Sequence, residues 1–411
     1  MSPAKYQPRH LRPAPEKALT QKQRMQIRIR RLKPLPPMRS ILAALLLFLA
    51  FLLADFLYSL SPAAAASPVP ENSVLVADFA GDVMLGRSLQ SKGCRSGYAA
   101  YFANVSSWWD NANLVAVNLE NAVLNEENMA NYQSQDKNIN IYCTYDAVDN
   151  LVDAGVNMLS CANEHSFDYG ERPVSELISY MQQHELIYAG VGMDLQDAHR
   201  FSLTEINGIK VAFLSITDVF YKEASAKENR AGILTTGSRD YNMLVYTAAM
   251  EADLTIVYMH WGEEYAVSAS KQQKEMAHQL IDAGADLVIG SHPHVVQAAE
   301  CYHDGVIFYS LGNFIFDQGN TFSKDSVMVQ LVVAQDGSSS LEVIPLRIRN
   351  GAPALAGGMY ASRINRMILS GLDNSEYYYN DAGHIIIPAF TVQWEQDSSS
   401  QAESSQRTAS A

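Results

Sequence analysis

Six short apolar runs, each closed by a carboxylate, an imidazole or a carboxamide, constrain this chain more than any other feature. Val74–Ala80 leads into Gly81-Asp82, and Leu114–Val117 into Asn118-Leu119-Glu120-Asn121. Val156–Ala162 leads into Asn163-Glu164-His165, and Leu254–Met259 into His260-Trp261-Gly262. Asp286–Ile289 leads into Gly290-Ser291-His292-Pro293-His294, and Val306–Leu311 into Gly312-Asn313-Phe314. Runs this short and this apolar read as buried strands. Amphipathic stretches at about 98–110, 145–154, 173–184, 241–250 and 270–284 fit helices between them, and that alternation predicts an α/β domain. Asn207-Gly208 joins Arg200–Ile206 to Ile209–Ile216 as a tight hairpin, and Asp336-Gly337 joins Val327–Val333 to Leu341–Arg349 as another. In α/β sheets ligands bind outside the carboxyl ends of the strands, which is where the run-closing residues fall.

Taken singly, these residues have ordinary explanations. A lone Asp after a strand is commonly a cap or turn residue, and His260 alone would serve as a hydrogen-bonded core histidine. Glu263 and Glu264 read as loop charges, with Glu264 able to orient a histidine, and His184, His199, His278 and His303 as solvated or structural. Together, the strand ends carry carboxylates and imidazoles with no Lys or Arg among them. Such a cluster repels itself or costs desolvation unless a cation sits in it, so a divalent-metal site is expected. Carboxylate and imidazole without thiolate suit Mn, Fe, Zn or Mg. A bridging carboxylate would make a two-metal site suited to displacement at a phosphoryl centre, with a histidine as general acid. Pro293 stiffens the turn that holds His292 and His294.

Charge divides the chain. Residues 1–39 carry eleven Lys/Arg against the single acid Glu16, leaving 19 basic and 43 acidic residues in the remainder. An acidic body of that kind excludes a nucleic-acid partner. Residues 1–39 are expected to be a basic, disordered cytoplasmic tail, and 40–60 a transmembrane signal anchor, since ~20 apolar residues span a bilayer. The positive-inside rule then places everything beyond residue 60 outside the cell membrane. A cleaved signal peptide, with Ala63–Ala66 as its small-residue site, is the alternative. Residues 61–72 read as a linker, 73–350 as the α/β domain, 351–395 as a C-terminal extension and 396–411 as a disordered tail. Cys94, Cys143, Cys161 and Cys301 permit three pairings that the sequence does not choose among. Cys161, in an apolar run, reads as a small buried residue.

The motifs Phe79-Ala-Gly-Asp82-Val-Met-Leu85, Asn118-Leu-Glu120, Ala162-Asn-Glu-His165-Ser-Phe-Asp-Tyr-Gly170, His260-Trp-Gly-Glu-Glu-Tyr265, Gly290-Ser-His-Pro-His294 and Tyr309-Ser-Leu-Gly-Asn-Phe314 resemble the CapA family of capsule, or poly-γ-glutamate, synthesis proteins. The resemblance runs from about 74 to 335, and the family is similar in turn to calcineurin-like metallophosphatases. It implies a four-layer α/β sandwich with two metal ions above the sheet. Carried over, Asp82 and His294 would bind the first ion, Glu120 would bridge, and Glu164, His260 and His292 would bind the second. His165 would face the substrate as acid or oxyanion stabiliser. Asn118, Asn163, Asp168 and Asn313 would contact substrate or orient ligands. The chain departs from the phosphatase pattern at Met84, where a histidine is usual, at Glu120, which replaces an Asp, and at Glu164, where an Asn is expected. These departures bear on phosphatase activity more than on metal binding. Two functions fit. One is an anchored extracytoplasmic metallohydrolase acting on an anionic envelope polymer or its precursor. The other is a non-catalytic metal-binding component of a capsule assembly or export complex.

Overall fold

The computed structural model describes Met25 and residues 37–59, 69–238 and 240–394. The rest of the basic segment, most of the linker and the tail from 395 lie outside the described residues. The chain divides into two compact units, residues 1–61 and 62–411. In the first, Pro37–Ser59 is one helix of 23 residues, about 35 Å long at 1.5 Å per residue. Ile41, Leu42, Leu45, Leu46, Phe48, Leu49 and Leu53 are all exposed on it. Among the described residues no helix is long and apolar enough to cross a membrane. In this one the side chains of Leu52 and of 55–59 fall outside the description.

The second unit is built on two mixed sheets. In the larger, of ten strands, Ser73–Val83 pairs in parallel with Leu114–Leu119, which pairs with Met158–Ser160 and on to Ile187–Ala189. On its other side Ser73–Val83 pairs antiparallel with Asp325–Ala334, then Ser338–Arg349 and Ile385–Thr391 follow. The smaller sheet of six strands has Ile209–Thr217, Leu254–His260, Leu287–Ser291 and Gly305–Phe308 in parallel at its centre. Every expected strand is present, although Val156–Ala162 contributes only Met158–Ser160 to the ladder. The Asn207-Gly208 hairpin forms with φ of 51° and 86°, the paired positive values that a two-residue turn needs to match strand twist.

Period-2 alternation gives each sheet two apolar faces. Leu75, Ala77 and Phe79 of the larger sheet pack with Phe213, Ile256, Tyr258 and Ile289 of the smaller in one shared core. The outer face of the larger sheet packs on Tyr145–Asp153 and Glu171–Gln183 through Val148, Leu151, Leu177 and Ile178. The outer face of the smaller packs on Tyr241–Glu251 and Lys271–Asp282 through Val245, Ala248, Ala277 and Leu280. The last helix starts at a capping box, in which Ser270 Oγ accepts from the Gln273 N–H at 3.1 Å and Gln273 Oε1 from the Ser270 N–H at 3.0 Å.

One expected helix is replaced. Over 98–110 the chain makes two short 3-10 turns, Tyr98–Tyr101 and Ser106–Asn111. The apolar stripe of Tyr98, Tyr101, Phe102, Val105 and Trp109 is buried as its helical spacing suggests. However, Asn104 and the Ser106-Ser107 pair favour turns over helix interior, and the Asn104 carboxamide donates to the Pro353 carbonyl at 3.1 Å. Two helices that were not expected, Arg87–Ser96 and Gly358–Ile368, are also present.

Candidate metal centre

The two sheets bring all six run endings together at one edge. Asp82 lies in its strand beside Asn118 on one side and Asn313 on the other. His260 ends its strand beside Ser291, and His292 and His294 follow directly. Close packing here requires glycine. A Cβ on Gly290 would run into the Tyr309 carbonyl, and one on Gly81 into the Gly312 carbonyl.

His292 and His294 have φ of 91° and 56°, a left-handed backbone that costs energy in a non-glycine residue. The bend points both rings inward. His292 Nδ1 lies 2.9 Å from Glu164 Oε1, and its ring centroid is 4.9 Å from that of His260. Glu164 also pairs with His260 Nε2. His294 Nδ1 lies 3.4 Å from Asp82 Oδ2, and its Nε2 lies 3.5 Å from Glu120 Oε1. Ligand atoms of Glu164, His260 and His292 thus lie within 4.8 Å of one another, as do those of Asp82, Glu120 and His260, and those of Glu120, Glu164 and His165.

Carboxamides and a hydroxyl orient these groups. Asn118 Nδ2 donates to Asp82 Oδ1 at 2.8 Å and to Glu120 Oε2 at 3.3 Å. Its own oxygen accepts from Asn163 Nδ2 at 3.1 Å. Asn163 Oδ1 takes the His165 and Ser166 N–H groups, both at 3.1 Å, and so shapes the loop that presents Glu164. Asn313 Oδ1 lies 2.9 Å from His294 Nδ1, and Ser291 Oγ lies 3.0 Å from His260 Nδ1. His165 Nδ1 lies 2.8 Å from Asp168 Oδ2, which also accepts the Ile141 N–H at 2.6 Å.

Burial raises the cost of charge throughout the cleft. In Asp82 burial is opposed by the hydrogen bond and charge of His294 and the charge of His260, which hold the carboxyl below its ordinary range. In Glu164 burial is outweighed by the charges of His260 and His292, which hold it well below. Glu120 has no such relief. Burial, then the charges of Asp82 and Glu164, push its carboxyl well above the ordinary range. Its Oε1 is buried and makes no hydrogen bond. Burial lowers His260, whereas the Glu164 carboxylate overrides burial and raises His292. A buried carboxylate oxygen with no donor, facing two further carboxylates and three imidazoles, is the environment that a divalent cation would complete.

Met84 gives no ligand here. It is fully buried in the core on the outer face of the larger sheet, and its sulfur accepts the Gly86 N–H at 3.2 Å. Cys161 is a buried free thiol, pushed up to about 12 by burial, and Cys143 and Cys301 are free as well. His184 stacks on Tyr180, His278 lies 2.8 Å from Glu300, and His303 lies 3.1 Å from Asp282.

Two residues of the cleft carry no sequence signal. Lys137, in the irregular 132–141 loop, ion-pairs with the fully buried Asp168 and donates to the Glu164 carbonyl at 2.7 Å. Arg87 pairs with Asp317 at the mouth.

Residues 76–318 match the family model described as bacterial capsule synthesis protein PGA_cap. The chain is 38% identical over 296 residues to the capsule biosynthesis protein CapA of Bacillus anthracis, covering 70% of this chain and 72% of that one. It is 36% identical over 284 residues to the PGA biosynthesis protein CapA of Bacillus subtilis strain 168, covering 69% and 74%. A solved structure of a 5'-nucleotidase precursor from Thermus thermophilus is similar at a TM-score of 0.33 and 13% identity, covering 68% of this chain and 54% of that one. At that level the structural likeness carries no weight beside the sequence matches. On those matches, this chain belongs to the bacterial capsule synthesis protein PGA_cap family.

Proposed function

We propose that this protein is a membrane-anchored, extracytoplasmic enzyme of capsule or poly-γ-glutamate biosynthesis, with a divalent-metal hydrolase centre of the metallophosphatase type on a four-layer sandwich. The observation that carries the enzymatic part is the convergence of Asp82, Glu120, Glu164, His260, His292 and His294 around a buried Glu120 oxygen that makes no hydrogen bond. Glu164, His260 and His292 would hold one ion, Asp82 and His294 the other, and Glu120 lies where it can reach both. A divalent metal held there would supply Lewis-acid polarisation of a phosphoryl oxygen and a more acidic water. Asn118 fixes the Asp82 and Glu120 carboxylates relative to each other. Asp168 engages Nδ1 of His165 and leaves Nε2 to give a proton to the leaving oxygen.

The anchor rests on the apolar helix Pro37–Ser59 and its basic flank. The partner is an anionic envelope polymer or its precursor, within a synthesis or export complex.

A second reading is a non-catalytic metal-binding component of that complex. It is favoured by Met84, whose sulfur turns to the Gly86 N–H and leaves the Asp82 side of the cleft short of a nitrogen ligand. Reloading the purified protein with Mn and assaying a phosphodiester and a phosphomonoester decides between the two. Turnover at least about tenfold above that of His292→Ala and His294→Ala is expected of the hydrolase. Equal background rates with metal bound would leave the assembly role, and absence of any bound ion would remove both readings.

A further inference from the structure

We propose that Arg87 is the residue that grips a substrate carboxylate at the mouth of the metal cleft, and that Asp317 occupies it until the substrate arrives. The proposal deepens the polymer reading above and rests on it.

Arg87 follows the Asp82 strand by four positions and has a φ of 51°, unusual for a residue with a side chain. Tyr265, His292 and His294 share that property, at 65°, 91° and 56°. Half of the eight non-glycine residues with positive φ among the described residues therefore surround this one cleft, and strained backbone of this kind concentrates at ligand-holding sites. The strain places the Arg87 guanidinium 5.3 Å from the centroid of Phe316, whose ring lies 4.8 Å from that of His294. Tyr265, with its ring 6.1 Å from that of His294, forms the adjoining wall and accepts a hydrogen bond from Gln318 at 3.1 Å.

Electrostatics make this cation stand out. Its charged neighbours at the mouth, Glu264 and Asp317, are acidic. Lys137 is the second cation of the cleft, but its ammonium is committed to Asp168 and the Glu164 carbonyl. Arg87 is partly exposed, with 35% of its side chain accessible, and gives one Nη to Asp317 Oδ1. Its other guanidinium donors have no acceptor among the described residues. Ser88 Oγ donates to the second Asp317 oxygen at 2.9 Å. One carboxylate is therefore already bound where an incoming one would dock. A guanidinium fork takes a carboxylate through two parallel bonds, so a polymer carboxylate can take two bonds from Arg87 where Asp317 takes one, while Ser88 keeps its hold on the other Asp317 oxygen.

Binding of a γ-linked glutamate oligomer to the metal-loaded full chain in detergent, measured by calorimetry, tests this. Arg87→Gln is expected to weaken binding about tenfold, the loss of one charge-assisted pair. Asp317→Asn is expected to tighten it several-fold, and the double variant to behave like Arg87→Gln. Metal content should be unchanged in all three. A pair that merely holds the loop would make both single variants lose binding, and that common direction would overturn the proposal. Wild-type protein that retains its metal yet ignores the oligomer overturns it too, and leaves the metal centre standing. Wild-type protein without metal is instead the failure of the reading beneath it.

Discussion

Glu120 concentrates the electrostatic cost of the site in one side chain. It is fully buried, its Oε1 lacks a donor, and the nearest charges beyond the imidazoles are the carboxylates of Asp82 and Glu164. Without metal that buried group costs stability, and on the metal-centre proposal it would be a ligand. Glu120→Gln keeps the shape and removes the charge. The apo variant should therefore be as stable as wild type or more stable, by about 1–3 kcal/mol for relief of an unsatisfied buried group. Its rise in melting temperature on adding Mn should be smaller, because less ligand binding is coupled to folding. Thermal melts of both proteins with chelator and with Mn give the two numbers. A variant that loses stability without metal and gains as much as wild type with it would show that Glu120 is no ligand.

At the level of strands, what the sequence made legible follows from where each ligand sits. Asp82, Glu120, Glu164, His260, His292 and His294 end or follow apolar runs, so the run endings pointed to them together at one edge. Lys137 and Arg87 belong to segments with no period, and their partners Asp168 and Asp317 are reached only through tertiary packing. The helix expected over 98–110 failed for a related reason, since its apolar stripe was right while its turn-forming Asn and Ser residues set the backbone. Another feature invisible to pattern reading is a polar ladder inside the larger sheet. Asp78 pairs with Gln330, Gln330 with Glu342, and Glu342 Oε1 lies 2.6 Å from His384 Nδ1. Burial pushes the Asp78 carboxyl up to about 7, opposed by the Gln330 hydrogen bond and reinforced by the Glu342 charge. Its folded state holds the proton more tightly than the unfolded chain does. That contribution to stability is full below about pH 4, the unfolded value, and is lost as pH rises through about 7. Asp78→Asn removes this term. Denaturant titrations at pH 5 and pH 8 should show wild type losing more stability between the two than the variant does, and parallel losses would refute the assignment.

At the scale of the whole molecule, the chain is asymmetric in charge in a way that fold alone does not require. Eleven basic residues and one acid precede position 40, while the remainder carries an excess of 24 acidic over basic residues. Between them stands a 23-residue helix with Leu, Ile and Phe exposed around its surface. A helix apolar all round is commonly buried or embedded in lipid, and under the anchor proposed above the positive-inside rule would place residues 1–39 in the cytoplasm. On that proposal the acidic domain would lie outside, where its net charge would repel a polyanion except at the proposed metal cleft and Arg87. Topology can be read directly in protoplasts bearing the protein with an epitope at each end. External protease should remove the C-terminal epitope and spare the N-terminal one. The protein should also stay with membranes in high salt, which screens surface charge, and leave them in detergent. A mature chain that begins near Ala66 and washes free of the membrane would establish the cleaved signal peptide instead. A chain with both epitopes protected would place the domain in the cytoplasm and remove the extracellular polymer as its substrate.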